Sequence, residues 1–321
     1  MWNGCQNTVD AFGANYLPFK YAEFLRRNPT VGLVATETSS CVSSRGEYFF
    51  PVVETNYPAH ANLQCSSYDV EWTPWSNLPD DDWATQDDHP WTIGEFVWTG
   101  FDYLGEPSPY DNAWPSRSSY FGILDLAGIP KDRYWLYRSR WNETSHTLHL
   151  VPHWTFPGRE GQVTPVYCYT DFDEAELFVN GKSQGRIRKN PKSRLDRYRL
   201  RWNDVVYQPG ELKVVAYDKN GTAALTETVR TAGAPAKVAL EKRRFGKLLF
   251  VTAKIVDANG TLCPDAADNL SVSCGKGLRF RAICNGDATS LESFVEPHMK
   301  AFHGQLVAIF EGEGDDVTIS R

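Results

Sequence analysis

The sequence predicts a multidomain chain: an α/β segment over residues 1–150, a β-sandwich over 151–232 and a second β-sandwich over 233–321. Three observations predict it. Short apolar runs in the first half follow the order strand, helix, strand, long loop, strand, which is α/β grammar. In the second half Asn180-Gly181, Asn220-Gly221 and Asn259-Gly260 each sit between alternating runs, the strongest short hairpin signal. Thr231-Ala232-Gly233-Ala234-Pro235 reads as a linker between two all-β units.

Each element has its own warrant. Val9–Tyr16 is an apolar strand-like run. Tyr21–Arg27 (YAEFLRR) is a short amphipathic helix, ended near Asn28-Pro29 because a residue before proline leaves the helical region. Val31–Thr36 (VGLVAT) is continuous and rich in β-branched residues, the pattern of a parallel strand buried on both faces. Ile93–Phe101 (IGEFVWTGF) is the third strand. Beyond residue 150, Ala175–Val179, Tyr198–Trp202, Leu212–Tyr217, Leu248–Asp257 and Ala308–Gly312 fit short strands with the turn spacing of a sandwich. The stretch Lys182–Arg201 is locally basic. Arg197, Arg199 and Arg201 alternate with Tyr198, Leu200 and Trp202, so the arginines are assigned to the outer face of a strand.

Composition narrows the function classes. With 41% apolar and 23% charged residues the chain reads as an ordinary globular protein. It holds 11 Trp, 15 Tyr and 17 Phe, enough to fill large β cores or to stack on sugar faces. A net charge of −7 disfavours nucleic acid, which needs a basic surface. No apolar run is long enough to span a membrane, and the start at Met1 reads as internal, with no leader. The seven cysteines show no CxxC pair and no metal-ligand spacing, and they read mainly as buried thiols. No cofactor is legible.

One carboxylate stands out. Glu37 follows VGLVAT directly, at the C-terminal end of a presumed parallel strand, and opens into the small polar loop Thr38–Gly46. That end of a barrel of alternating strands and helices carries active sites. A glycosidase nucleophile fits there, and so does a strand-end glutamate paired with Arg45. Asn15 and Tyr16 end the preceding strand on the same rim, where a phenol could hold a carboxylate ionised and oriented. Trp98 ends the third strand and could form a floor for a sugar ring. Asp102, Glu106 and Asp88-His89 are further rim polars.

These residues resemble a family. VATETSSCVSSRGEY, GEFVWTGFDYLGEPSPY and WPSRSSYFGILDLAGIPKDRYWLY are similar to glycoside hydrolase family 2 β-galactosidases. HWTFPGREGQVTPVYCYTDFDEAELFVNGKSQGR and RTAGAPAKVAL resemble the β-sandwich that follows the barrel there, and CNGDATSLESF resembles the terminal immunoglobulin-like domain. The resemblance runs in order from about residue 9 to 321. It implies that the three apolar runs are strands six to eight of a TIM (β/α)8 barrel, followed by two immunoglobulin-like sandwiches. It implies retaining hydrolysis of terminal β-D-galactosides, with Glu37 as nucleophile, Tyr16 orienting it, and Trp98, Asn15, Asp102 and Arg45 toward the sugar. It leaves Mg²⁺ or Na⁺ open and makes a periplasmic or secreted location the expectation.

The same comparison marks a gap. The family's acid/base glutamate follows an asparagine after strand four, a region absent here. Asn142-Glu143 is the only Asn-Glu pair and lies beyond the barrel segment. Glu95, Asp102 and Glu106 are the in-chain substitutes. The expected partners are a β-galactoside glycan, with a homo-oligomer or the upstream part of the same enzyme both open. The alternatives are a non-catalytic carbohydrate-binding or scaffold module, and a related β-glucuronidase or β-mannosidase. A glucuronidase needs a basic site, for which Arg45 is the nearby candidate.

Overall fold

The computed structural model describes residues 4–321, so Met1 and the expectation attached to it lie outside the described residues. The N-terminal part is organised on three strands, β1 (Ala11–Asn15), β2 (Gly32–Thr38) and β3 (Thr92–Val97), in that spatial order. Both pairings are parallel. Parallel neighbours need crossovers, and helices supply them. α1 (Tyr21–Arg27) links β1 to β2 over the span its sequence predicts. It packs Tyr21 and Phe24 against Ala14, Leu33 and Ala35. It stops at Asn28, whose amide donates to the Phe24 carbonyl. α2 (Pro79–Asp88) precedes β3 and α3 (Asp132–Trp141) follows it. α2 has no apolar stripe to announce it. Asp80, Asp81 and Asp82 fill its first turn, where the helix dipole favours negative charge.

β2 departs from expectation. Leu33, Ala35 and Thr38 are buried, but Thr36 is exposed on the opposite face, as are Ile93 and Phe96 of β3. A run of apolar residues signals burial on two faces, yet among the described residues the helices cover one.

The remainder is all β. β4 (Leu148–Val151), β5 (Val166–Thr170), β6 (Glu174–Val179), β7 (Lys182–Arg188), β8 (Leu200–Trp202), β9 (Glu211–Tyr217) and β10 (Ala223–Arg230) form two sheets, ordered β4-β5-β8 and β10-β9-β6-β7. Alternate residues of both meet in one core that includes Trp154, Leu177, Trp202 and Val214. β11 (Lys237–Phe245), β12 (Leu248–Val256), β13 (Asn269–Cys274), β14 (Leu278–Cys284), β15 (His298–Lys300), β16 (Gln305–Gly312) and β17 (Val317–Ser320) form two more, β11-β12-β16-β14 and β15-β13-β17. Their core includes Leu249, Ile255, Met299 and Phe310. Cys41, Cys65, Cys168 and Cys263 are buried as thiols. No helix among the described residues is long and apolar enough to cross a membrane.

Two of the three Asn-Gly signals close hairpins. Asn180 and Gly181 carry φ 49° and 79° between the paired residues Val179 and Lys182, the left-handed pair that a tight antiparallel turn requires. Asn220-Gly221 joins β9 to β10. Asn259-Gly260 does not join two strands of one sheet. Its turn folds Leu262 back beside Val256, and the chain then leaves for β13 in the opposite sheet.

The basic stretch also corrects its assignment. Within the alternating run Tyr198–Trp202 only Leu200–Trp202 is strand, and Arg199 is fully buried rather than on an outer face. Its guanidinium donates to the Asp80 carboxylate of α2 and to the Tyr68 and Asp69 carbonyls. Alternation marks two sides of a strand, and here a helix carrying a buried carboxylate covers the second side.

A half-buried histidine ties α3 to the first sandwich. His149 on β4 meets Asp132 at 2.7 Å and stacks on Trp135 at 5.0 Å. Glu227 of β10 lies 3.8 Å from its other ring nitrogen. Burial opposes its charge, but the Asp132 hydrogen bond and the two carboxylates outweigh burial and raise its pKa. A raised folded pKa stabilises fully below the ordinary histidine value of about 6.5 and loses that contribution as pH rises through the folded value. The His149→Gln variant is therefore expected to be less stable than the parent at about pH 6, with the difference narrowing toward about pH 9. Urea midpoints across that range check it, and a pH-independent difference would refute it.

Candidate functional site

The C-terminal ends of the parallel strands carry a short hydrogen-bonded series. Asn15 lies opposite Glu37 in the β1–β2 register, just past an irregularity after Ala14. The chain then turns at Tyr16, whose φ is 54° and whose backbone N–H donates to the Glu37 carbonyl at 3.1 Å. This turn brings the Tyr16 phenol back to the Glu37 side chain. The phenol donates to Glu37 Oε2 at 3.0 Å, and the buried Ser40 hydroxyl donates to the phenol oxygen at 2.7 Å. Burial pushes the Tyr16 pKa far above the usual phenol range; the Ser40 bond opposes this and the Glu37 and Glu106 charges reinforce it. The phenol therefore remains a donor, aimed at one carboxylate oxygen.

The loop after Glu37 is held from below. Ser39 adopts φ 51°, and its hydroxyl donates to Asp82 Oδ2 of α2 at 2.6 Å. Asn77 donates to the same oxygen at 2.6 Å. Burial pushes Asp82 up to about 7, opposed by the Ser39 and Asn77 bonds and reinforced by Glu95.

On the β3 side, the Trp98 N–H pairs with the Thr38 carbonyl at 2.9 Å, so Trp98 continues the strand alignment past its formal end. Its indole N–H donates to the Tyr103 hydroxyl at 3.2 Å, which donates to Glu106 at 2.5 Å. Trp98 and Tyr103 are partly buried against a cluster that includes Val42, Tyr110, Tyr120 and Phe121. The structure thus groups Glu37, Tyr16, Asn15 and Trp98 at one end of the sheet. Asn15 is exposed there and accepts a hydrogen bond from the Thr36 hydroxyl.

Other expected rim residues are drawn inside. Asp102 is 7% exposed and pairs with Lys131 at 2.6 Å while accepting the Gly122 N–H at 2.7 Å. Burial raises it to about 6, against the pull of Lys131. Arg45 is 5% exposed, with Nε on Asp125 at 2.6 Å and Nη2 on the Asn285 carbonyl at 2.8 Å. Neither is a surface group available to a sugar, because each is the partner of a buried opposite charge. Asp88 and His89 end α2 before β3 begins, at the opposite end of that strand from Trp98. Glu95 has both oxygens engaged, by Trp83, Gln86 and Thr38. Of the substitute carboxylates only Glu106 stands exposed beside the Trp98–Tyr103 pair.

Ser40 and Tyr103 escaped the sequence reading. Both sit beside expected residues, but their roles come from partners brought up by the fold. Among the described residues no group of three or more His, Cys, Asp or Glu is arranged to hold a metal ion.

Removal of Lys131 tests the inward assignment of Asp102. Lys131→Met is expected to cost about 3–5 kcal/mol by leaving a buried carboxylate alone. The double variant Asp102→Asn with Lys131→Met is expected to recover most of that, as read by urea denaturation. A single variant as stable as the parent would refute the pairing.

Residues 161–225 match the domain of unknown function DUF4982, and residues 242–320 match glycoside hydrolase family 2 C-terminal domain 5. The chain is 40% identical over 326 aligned positions to the β-galactosidase BoGH2A of Bacteroides ovatus, an alignment covering 95% of this chain and 36% of that protein. It is 36% identical over 189 positions to a putative β-glucuronidase of Formosa agariphila, covering 57% of this chain and 18% of that protein. Among solved structures, a β-glycosidase from Bacteroides vulgatus superposes with a TM-score of 0.84 at 30% identity, over 99% of this chain and 44% of that one. The chain thus spans about a third or less of the curated relatives named here.

Proposed function

From the premise that this chain belongs to the C-terminal part of glycoside hydrolase family 2, we propose that it forms one wall of a retaining exo-β-galactosidase site, with Glu37 as the nucleophile. The observation that carries the reading is the Tyr16 phenol donating to Glu37 Oε2 with Ser40 behind it. In this proposal residues 1–150 are the last three strands of an eight-stranded β/α barrel, and residues 151–232 and 233–321 are two appended sandwiches. The parallel order of β1, β2 and β3 with intervening helices supports it, as do their exposed inner residues Ile93 and Phe96.

Glu37 attacks the anomeric carbon of a terminal β-linked sugar. The glycosidic C–O bond breaks, and a second carboxyl protonates the leaving oxygen. That carboxyl then deprotonates the water that releases the sugar. Retaining chemistry sets the two carboxyls about 5–5.5 Å apart. The second comes from a segment upstream of this chain. Tyr16 keeps the attacking carboxylate ionised and aligned, because a donor to the charged form favours that form. Trp98 packs under the ring.

A neutral sugar is preferred to a uronic acid. Binding a second carboxylate calls for a free cation, and Arg45 is committed to Asp125. The 40% identity to a β-galactosidase supports the same choice, while the relatives of β-glucuronidase type make it the point to test.

The test is hydrolysis of aryl β-D-galactoside and aryl β-D-glucuronide by the protein with and without its upstream segment. Rapid galactoside release is expected only with that segment. The Glu37→Gln variant should lose on the order of 10⁴-fold or more in kcat. Tyr16→Phe should lose about 10- to 100-fold, the worth of one hydrogen bond to a charged group. Preference for the glucuronide would overturn the substrate. Rapid turnover by the 321-residue chain alone would overturn the missing acid/base.

A further inference from the structure

The last sandwich reaches into the cluster behind Trp98. Its loop after β14, residues 285–290, leaves the sheet and inserts Ala288, 5% exposed, among Val42, Tyr110, Tyr120 and Phe121. Trp98 and Tyr103 pack against that same cluster. The Ala288 carbonyl accepts the Arg117 N–H at 3.0 Å, which anchors the loop to the segment following Tyr103.

The same loop is also joined to the segment that follows Glu37, by two routes. Asp287 Oδ1 accepts from Gln64 at 2.8 Å, and Gln64 in turn accepts from Ser44 at 2.6 Å. The Asn285 carbonyl accepts from Arg45, whose Nε is held by Asp125. Gly286 makes the approach possible. Its φ is +85°, and a Cβ there would run into the Asp125 carboxylate. A left-handed residue without a side chain is therefore required at that position.

We propose that the 285–290 loop of the terminal sandwich is a positioning element of the carbohydrate site, fixing Trp98 from behind through Ala288 and the post-Glu37 segment through Gln64 and Arg45. The proposal rests on the reading of Trp98 as the sugar floor. It assigns a domain remote in sequence a direct part in the shape of that floor. Packed interiors transmit displacement because they contain few voids, so a loosened Ala288 is felt at the ring on the other side of the cluster.

The experiment uses the whole chain labelled with 5-fluorotryptophan, with the Trp98 resonance assigned by its loss in Trp98→Phe. Asp287→Ala removes the Gln64 link together with the two bonds that Asp287 accepts from Thr289 within the loop, and Ala288→Val overfills the cluster. Both are expected to shift or broaden the Trp98 ¹⁹F resonance more than that of Trp154, which lies in the core of the other sandwich. Asp287→Asn keeps the acceptor for Gln64 and is expected to restore the parent spectrum. General destabilisation of a folded protein would not single out Trp98 or be rescued by asparagine. Should Ala288→Val fail to fold, Asp287→Ala decides. A Trp98 resonance unmoved in folded Asp287→Ala overturns the proposal. The ¹⁹F result is independent of turnover. Failure of galactoside hydrolysis would remove the sugar from the reading and leave the mechanical coupling standing or falling by itself.

Discussion

The N-terminal part and the first sandwich depend on one buried ion pair, Arg133 of α3 with Asp69 at 3.0 Å, both fully buried. Arg133 also donates to the carbonyls of Cys41 and Phe121, the two long loops that follow β2 and β3. Asp69 accepts from Tyr169 of β5, and Arg199 donates to its backbone carbonyl while pairing with Asp80 of α2. Two arginines and two aspartates thus connect both long loops, two helices and the first sandwich. Such a network gains little net energy over well-packed apolar residues, but losing one partner strands a buried charge. Its consequence is that displacing any one of these segments leaves a buried charge unpaired.

That placement supports the Glu37 segment. β2 carries the half-buried Glu37 at its end, and the buried, irregular loop that follows is held by side-chain pairing. Ser39 is tied to Asp82 of α2, Arg45 to Asp125, and Lys131 to Asp102 and to the Ser43 carbonyl. Polar side chains in a long irregular loop would be costly to bury unless each found a partner. Here the partners come from three different loops and helices. Of the four residues grouped at the strand ends, Glu37 and Tyr16 are half-buried, Asn15 is exposed, and Trp98 is partly buried.

Legibility followed periodicity. Tyr21–Arg27 was readable because its apolar residues face one way and a proline follows closely. Asn180-Gly181 was readable because only residues tolerant of positive φ suit that turn. α2 is not, because its buried face carries one aromatic, Trp83, in a core with Leu136 and Tyr137, beside aspartates such as Asp80 that are buried only by pairing with Arg199, so no apolar period shows. Arg199 departs from its alternation because a period of two distinguishes two faces of a strand but not which face another element covers. The family resemblance sets Arg45 and Asp102 toward the sugar, and local sequence alone offers Asp102 as a rim polar and Arg45 as a partner for Glu37. Their ion partners Asp125 and Lys131 lie 80 and 29 positions away in sequence, beyond any local pattern.

By itself the sequence determined the parallel-strand order, the all-β character of the second half, and Glu37 as the carboxylate at a strand end. These are local matters of period, turn chemistry and residue type. Tertiary structure decided which charged residues are spent inside, that Ser40 stands behind Tyr16, and that a loop from the terminal sandwich reaches the cluster behind Trp98. The physical reason is that burial and hydrogen-bond satisfaction belong to pairs of groups, and the members of these pairs are brought together only by the folded chain.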